Sequence, residues 1–190
     1  MYFYQITKNN YRSVWEQRKL GELSKEVIRK APKDSSAPIM MISASSGFVD
    51  QSTHYATDNT GSSIENYTLL MKNELSYNHG YSKQRNFGSV FTLRVKEARI
   101  PFVYHSFAMP GDNSLFFGHY LNSGIFDGAL KRLISSTARM DGLMNISYDE
   151  YMSIVVFRPS IEEQDKIATF FDNLDSSIVL HQRKYFIVVA

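Results

Sequence analysis

Nine consecutive residues, 78–86, carry eight side chains able to donate or accept hydrogen bonds: Asn78, His79, Tyr81, Ser82, Lys83, Gln84, Arg85 and Asn86. Asn, Gln, Lys and Arg match the donor and acceptor patterns of base edges in the DNA major groove, and Lys and Arg neutralise phosphates. An ordinary solvated connection has the same composition, so the run alone fixes neither reading. Lys131 and Arg132, with Ser135, Ser136, Thr137 and Arg139, form a second group. Small hydroxyls beside cations suit phosphate contacts, although Arg139 and Asp141 would also make a local ion pair. Ser43, Ser45 and Ser46 are a third, sparser group.

Catalytic patterns are absent from the sequence. A base methyltransferase needs an Asn/Asp-Pro-Pro-aromatic motif and a glycine-rich cofactor loop, and the chain has neither. A Mg²⁺ nuclease needs convergent carboxylates with a lysine, usually as Glu-x-Lys, and that triplet does not occur. There is no P-loop and no G-x-S-x-G elbow. Zero cysteines exclude disulfides, thiolate metal sites and cysteine nucleophiles together. The five histidines, His54, His79, His105, His119 and His181, lack metal-ligand spacing. The expectation is a chain that is not an enzyme and needs neither metal nor cofactor.

The elements that must position these groups follow from the hydropathy pattern. At 190 residues, 43% hydrophobic and 14% aromatic, the chain is long enough for one cored domain, with or without an appendage. From Trp15 the pattern predicts a short strand, a glycine turn and a helical turn, with Trp15 packing at the edge of the core. Ile39–Ile42 reads as a strand, and so do the fragments beginning at Tyr67 and Leu75 on either side of Lys72-Asn73-Glu74. Residues 88–95 alternate at period two. Asp112–Gly124 reads as a short helix with a polar cap and a glycine stop, a second helical piece runs through Leu130, and Tyr151–Phe157 reads as a strand. The predicted class is α+β: one domain with a small mixed sheet and short helices, then a C-terminal helix that forms a coiled coil. The polar start and the absence of a ~20-residue apolar run suggest a cytoplasmic protein without membrane association.

The net charge of +2 is small, but it is unevenly spread. Residues 1–30 carry +4 and residues 160–190 carry −2, giving a basic front and an acidic helical tail. That tail opens on Ser160-Ile-Glu-Glu-Gln-Asp-Lys-Ile-Ala. Ser160 and Glu163 have capping-box spacing, and Glu162, Glu163 and Asp165 favour the positive end of the helix dipole. Ile167, Phe171, Leu174, Ile178, His181, Tyr185 and Val188 then recur at alternating intervals of four and three, a heptad seam. Packing on its own domain and pairing with a partner helix both satisfy that periodicity.

Three segments resemble the specificity subunit of type I restriction–modification systems. They are Trp15-Glu-Gln-Arg-Lys-Leu-Gly-Glu-Leu, Leu133–Ile146 (LISSTARMDGLMNI), and Pro159 through Lys184, where P-x-x-x-E-Q-x-x-I opens the helix. The resemblance spans residues 15–184. It implies a target-recognition domain (15–159) behind an N-terminal extension (1–14), followed by a spacer helix (160–190), shortened relative to the family pattern. Family members normally carry two such domains and two helices paired antiparallel, so this sequence corresponds to half a subunit.

By the same resemblance the chain reads one half of a split site in double-stranded DNA. It docks methyltransferase subunits and, through them, the restriction subunit, with a homodimer possible through the helix. DNA contacts are then expected from Asn78, Tyr81, Ser82, Lys83, Gln84, Arg85 and Asn86, and from Lys131, Arg132 and Arg139. For the group 131–139 the resemblance implies a structural or DNA-backbone role rather than sequence reading. Helix pairing is expected from Ile167, Phe171, Leu174 and Ile178. The competing expectation is a regulatory fragment that binds the methyltransferase without reading DNA, consistent with the low net charge.

Overall fold

The computed structural model describes residues 15–51, 66–80, 82, 85–134 and 146–188, with side chains described as far as His181. The elements run in the order β1 (Glu16–Lys19), α1 (Leu20–Leu23), β2 (Lys25–Glu26), β3 (Met40–Ser43), β4 (Gly47–Asp50), β5 (Thr68–Met71), β6 (Leu75–Asn78), β7 (Ser89–Thr92), β8 (Glu97–Ile100) and β9 (His105–Ala108). Then come α2 (Ser114–Leu121), α3 (Asp127–Leu133), α4 (Tyr148–Met152), β10 (Val155–Arg158) and α5 (Ile161–Val188). The class is α+β, as the sequence predicts. Every strand ladder among the described residues is antiparallel, and parallel pairing is confined to a bridge between Ile39 and Arg99.

The central sheet has four strands in the order β2-β9-β6-β7, and β3-β4, β5-β8 and β1-β10 form two-stranded ribbons. The two fragments around Lys72-Asn73-Glu74 are strands, but they do not pair with each other. β5 joins β8, while β6 lies between β7 and β9. Asn73 sits in the left-handed region (φ 69°), which an asparagine tolerates better than most residues. Its turn locks onto the 93–96 turn through Lys72 N to Lys96 O and Asn73 N to Leu93 O, both 2.9 Å, and the two strands diverge.

The principal core lies between this sheet and the helices. Leu75, Tyr77, Val90 and Phe107 from the strands meet Phe116, Phe117, Tyr120 and Tyr151 from α2 and α4. Each such large apolar side chain contributes on the order of 2–3 kcal/mol on burial. Asn113 caps α2, its side-chain oxygen accepting from the amides of Leu115 (2.9 Å) and Phe116 (3.1 Å). Gly118 lets α2 settle on β7, since a Cβ there would lie 2.7 Å from Thr92 Oγ1. A smaller core of Val27, Leu70, Leu93, Ala98 and Ile100 fills the space under β5 and β8.

Near residue 150 the structure corrects the sequence reading. Tyr151 and Met152 end a one-and-a-half-turn helix, and the strand begins only at Val155. Ser147 and Glu150 form a full capping box, which nucleates α4 ahead of the apolar run. The final strand returns to the first: Glu16 faces Arg158 and Lys19 faces Val155. Trp15, partly buried at the rim of the core as expected, presents its edge to Phe116 and Tyr120 with ring centroids 6.1 Å apart in each case. No helix among the described residues is long and apolar enough to cross a membrane.

Candidate nucleic-acid interface

The polar loop after β6 is held from within. The Asn78 amide donates to Ile42 O (3.2 Å) and its carbonyl oxygen accepts from Gly80 N (2.9 Å), fastening the end of β6 to β3. Ser82 and Arg85 exchange backbone hydrogen bonds, and Ser82 Oγ accepts from Arg85 N at 3.0 Å. The Arg85 guanidinium donates to Asn122 O, a helix-end carbonyl. Tyr77 Oη donates to Phe87 O at 2.7 Å and closes the loop on its own strand. Gly88 completes the closure at φ 78°, where a Cβ would stand 2.4 Å from Asn78 O.

Of the loop residues expected to contact DNA, Asn78 and Arg85 therefore hold the loop's shape. Asn86 is exposed and Ser82 is half-buried. Tyr81, Lys83 and Gln84 lie outside the described residues, as does Arg139. Lys131 and Arg132 occupy the last turn of α3 and are exposed. A small cleft of about 100 Å³ is lined by Asn86 and Phe87 on one side and Asp127 and Leu130 on the other. The loop thus adjoins α3 at Asp127 and Leu130, the helix that also carries Lys131 and Arg132.

Ser45 and Ser46, from the third group, line a larger cleft of about 800 Å³ together with Arg85, Arg94, Asn122 and Ile178. The hydroxyls of Ser43, Ser45 and Ser46 form a chain with 3.2 Å links across the β3–β4 turn. Arg85 lines both clefts and so links the polar loop to the β3–β4 turn. No group of three or more metal-ligating side chains occurs among the described residues.

Two stacked imidazoles, the buried His79 and the half-buried His105, lie next to the loop. His79 and His105 stack with centroids 4.8 Å apart, and their Nε2 atoms meet Val103 O (3.0 Å) and Ile146 O (2.9 Å). Burial holds the His105 pKa below the ordinary 6.5, opposed by the hydrogen bond to Ile146 and reinforced by His79. The unfolded chain therefore binds the extra proton first, so stability falls as pH drops below about 6.5 and continues to fall until His105 titrates in the folded state. Thermal melts between pH 7.5 and 5 should show this acid-side loss, and it should be shallower in His105→Gln.

The signature P-x-x-x-E-Q-x-x-I has a separate structural role for each fixed residue. Ser160 Oγ accepts from Glu163 N at 3.3 Å, and the Glu163 carboxylate also accepts from Trp15 Nε1 at 3.2 Å, from the other end of the chain. Gln164 is fully buried: its amide donates to Asp112 (2.6 Å) and Pro159 O (3.0 Å), and its oxygen accepts from Asn113 N (2.8 Å). Arg158 Nε donates to the same Asp112 oxygen at 2.6 Å. Ile167 is half-buried against the core, beside Ala168.

One turn on, Arg94 makes a two-pronged ion pair with Asp172 (2.6 and 3.0 Å), and His119 Nε2 adds a third contact at 3.2 Å. The Arg94 hydrogen bonds depress the Asp172 pKa, and His119 assists. Phe171 stacks on His119 with centroids 5.2 Å apart. Nothing in the sequence points to this clamp, because Arg94, His119 and Asp172 come from three separate segments.

The heptad seam is consequently divided. Ile167 and Phe171 face the body of the protein, whereas Leu174 and Ile178 are 44% and 46% exposed, with Phe170, Val179 and Leu180 exposed beside them. The outer part of α5 thus presents an uncovered apolar stripe.

No protein-family model matches the sequence, and no curated protein matches it. Solved structures do. The chain superposes on the HsdS subunit from Thermoanaerobacter tengcongensis with a TM-score of 0.53 at 12% identity, covering 93% of this chain and 41% of that one. A chain from a structure described as the basis of complex assembly and conformational transition of the type I R-M system gives the same TM-score and identity, covering 93% and 42%. At this identity the likeness is one of fold: α+β with small antiparallel sheets, short helices and a long terminal helix. The chain spans about two fifths of the length of these structures.

Proposed function

We propose that this chain is a DNA-recognition component of a type I restriction–modification system, built as one target-recognition domain (15–159) and one spacer helix (160–190). The observation that carries the reading is the pattern of coverage: almost all of this chain aligns with about two fifths of an HsdS subunit. One body plus one helix is what half of a two-domain, two-helix reader amounts to. The domain reads one half-site of a split target in double-stranded DNA. The helix pairs with a second copy and docks methyltransferase subunits, through which the restriction subunit is reached. The chain itself catalyses nothing.

Contacts are assigned by exposure. Lys131 and Arg132 take phosphates beside the 82–86 loop, while Asn78 and Arg85 keep that loop in shape. Replacing both Lys131 and Arg132 by alanine should weaken binding to all duplexes alike and reduce the salt slope of the affinity by about two. Filter binding or fluorescence anisotropy across a salt series checks this.

The decisive experiment is footprinting with the methyltransferase present. An interrupted palindrome is expected, because two copies present identical domains. Uniform protection of every sequence sinks the reading, and methyltransferase binding without any DNA affinity supports the regulatory fragment instead.

A further inference from the structure

Helix α5 is held to the body at two points. The first is the buried Gln164 network at the start of the helix. The second is the ion pair of Asp172 with Arg94, to which His119 adds its contact. Gln164 and Asp172 are eight residues apart, about 12 Å along the helix axis. One attachment leaves a rod free to swing, whereas two fix its direction. Asp172 is also the last residue of α5 that the body covers: it is partly buried, and every residue from 173 to 181 is exposed. The direction of the outer helix is therefore decided at this clamp.

Both partners of Asp172 come from elements that also hold the polar loop. Arg94 follows β7, which begins immediately after Gly88, the residue that closes the loop. His119 stands one turn before Asn122 at the end of α2. Asn122 takes the Arg85 guanidinium on its carbonyl and Val90 N on its side-chain oxygen (3.0 Å). β7 and α2 are fastened to each other by Thr92 Oγ1, which donates to Ser114 O at 2.8 Å. The turn carrying Arg94 is pinned on its other side by Lys72 N and Asn73 N. The loop, β7, α2 and the start of α5 thus form one hydrogen-bonded frame. Arg94 is 53% and Asp172 32% exposed, so solvent screens their attraction and its contribution to folding is modest. The two-pronged geometry nonetheless restricts orientation as a single contact does not.

We infer that the Arg94–Asp172–His119 clamp sets the angle at which α5 leaves the domain, and thereby the gap between the half-sites that a pair of these chains reads. The inference rests on the DNA-recognition reading proposed above, and it names the positioning residues that determine spacing. From Asp172 to the end of α5 at Val188 the helix runs on for about 24 Å. A swing of about 10° at Asp172 moves that far end by about 4 Å, more than the rise of about 3.4 Å per base pair.

The chain has no cysteine, so paired spin labels can be introduced without removing native thiols. Labels on Glu22→Cys in α1 and Leu180→Cys in α5, both exposed, report the helix angle as an electron–electron distance. Excess unlabelled chain suppresses distances between copies. The otherwise wild-type chain should give one narrow distance. Asp172→Ala removes both contacts, leaves a good helix former and spares the Gln164 network, so the melting midpoint should hold while the distance distribution broadens. Arg94→Lys keeps the charge without the two-pronged geometry and should fall between them. If Asp172→Ala lowers the midpoint, Arg94→Lys carries the comparison. Selection of a random-sequence duplex library on the full chain, with the methyltransferase present, then reads the gap. Wild type should enrich one gap length, and Asp172→Ala the same half-sites at a mixture of neighbouring gap lengths. An unchanged distance distribution, or a broadened one with the single gap preserved, overturns this inference alone. If wild type enriches no interrupted site, the DNA-recognition reading fails and the spacing role falls with it.

Discussion

Asp112→Ala is expected to lower stability by about 3 kcal/mol, which is large for one carboxylate near a helix start. The Asp112 side chain is 2% exposed, and one of its oxygens accepts from both Arg158 and Gln164. Removing it leaves the fully buried Gln164 amide with Pro159 O as its remaining acceptor in this network and deprives Arg158 of its closest counter-charge. Breaking a buried pair costs about 3–5 kcal/mol. Arg158 is 31% exposed, so water recovers part of that loss and the lower end of the range applies. Asp112→Asn retains one acceptor oxygen and should cost about 1–2 kcal/mol. Urea unfolding with an unchanged m-value measures both. An alanine variant within about 0.5 kcal/mol of wild type, the range of ordinary surface substitutions, would show that the joint between body and helix does not depend on this network.

The same joint shows what the sequence could convey. The helix start was legible because its signals are local: Pro159, Ser160 and Glu163 stand within five residues, and capping acts over that distance. The reason for Gln164 was not legible, because its partners Asp112 and Asn113 lie about fifty residues away and have no periodic relation to it. Strands with an apolar run, such as β3 and β7, could be read. β8 and β9 were harder, because Pro101 and the polar residues of the turn between them interrupt the pattern.

The polar loop illustrates the opposite difficulty. Composition marks Asn78 and Arg85 as free to meet DNA, yet their hydrogen bonds go to Ile42, Gly80 and Asn122 in the fold. A donor's type states what it can bind, and only its surroundings state whether it is already bound. Ile28 is the converse case: composition marks it for the core, but the crossing between two sheet edges turns it to solvent. Chemistry-bearing residues were therefore identified by type, whereas their availability depended on contacts between distant segments.

Pairing through α5 should be abolished by Leu174→Asp or Ile178→Asp with the fold intact. Both side chains are nearly half exposed in the single chain, so a carboxylate there meets water and costs the monomer little. In a two-fold antiparallel pair each substitution appears twice and is buried in a heptad seam. Burying an unpaired charge costs several kcal/mol, so a dissociation constant at least a hundredfold weaker is expected. Phe171→Asp is a poorer test than the heptad alone suggests. It removes the stack on His119 and sets a second carboxylate next to Asp172, so it loosens α5 from the body as well. Ile167→Asp would strike the core directly. Light scattering should thus report loss of mass for the two outer variants with unfolding midpoints unchanged, and lowered midpoints for the two inner ones. A monomeric wild type at tens of micromolar, or an unchanged mass in both outer variants, would remove the second copy as the partner of this stripe and leave the methyltransferase to cover it.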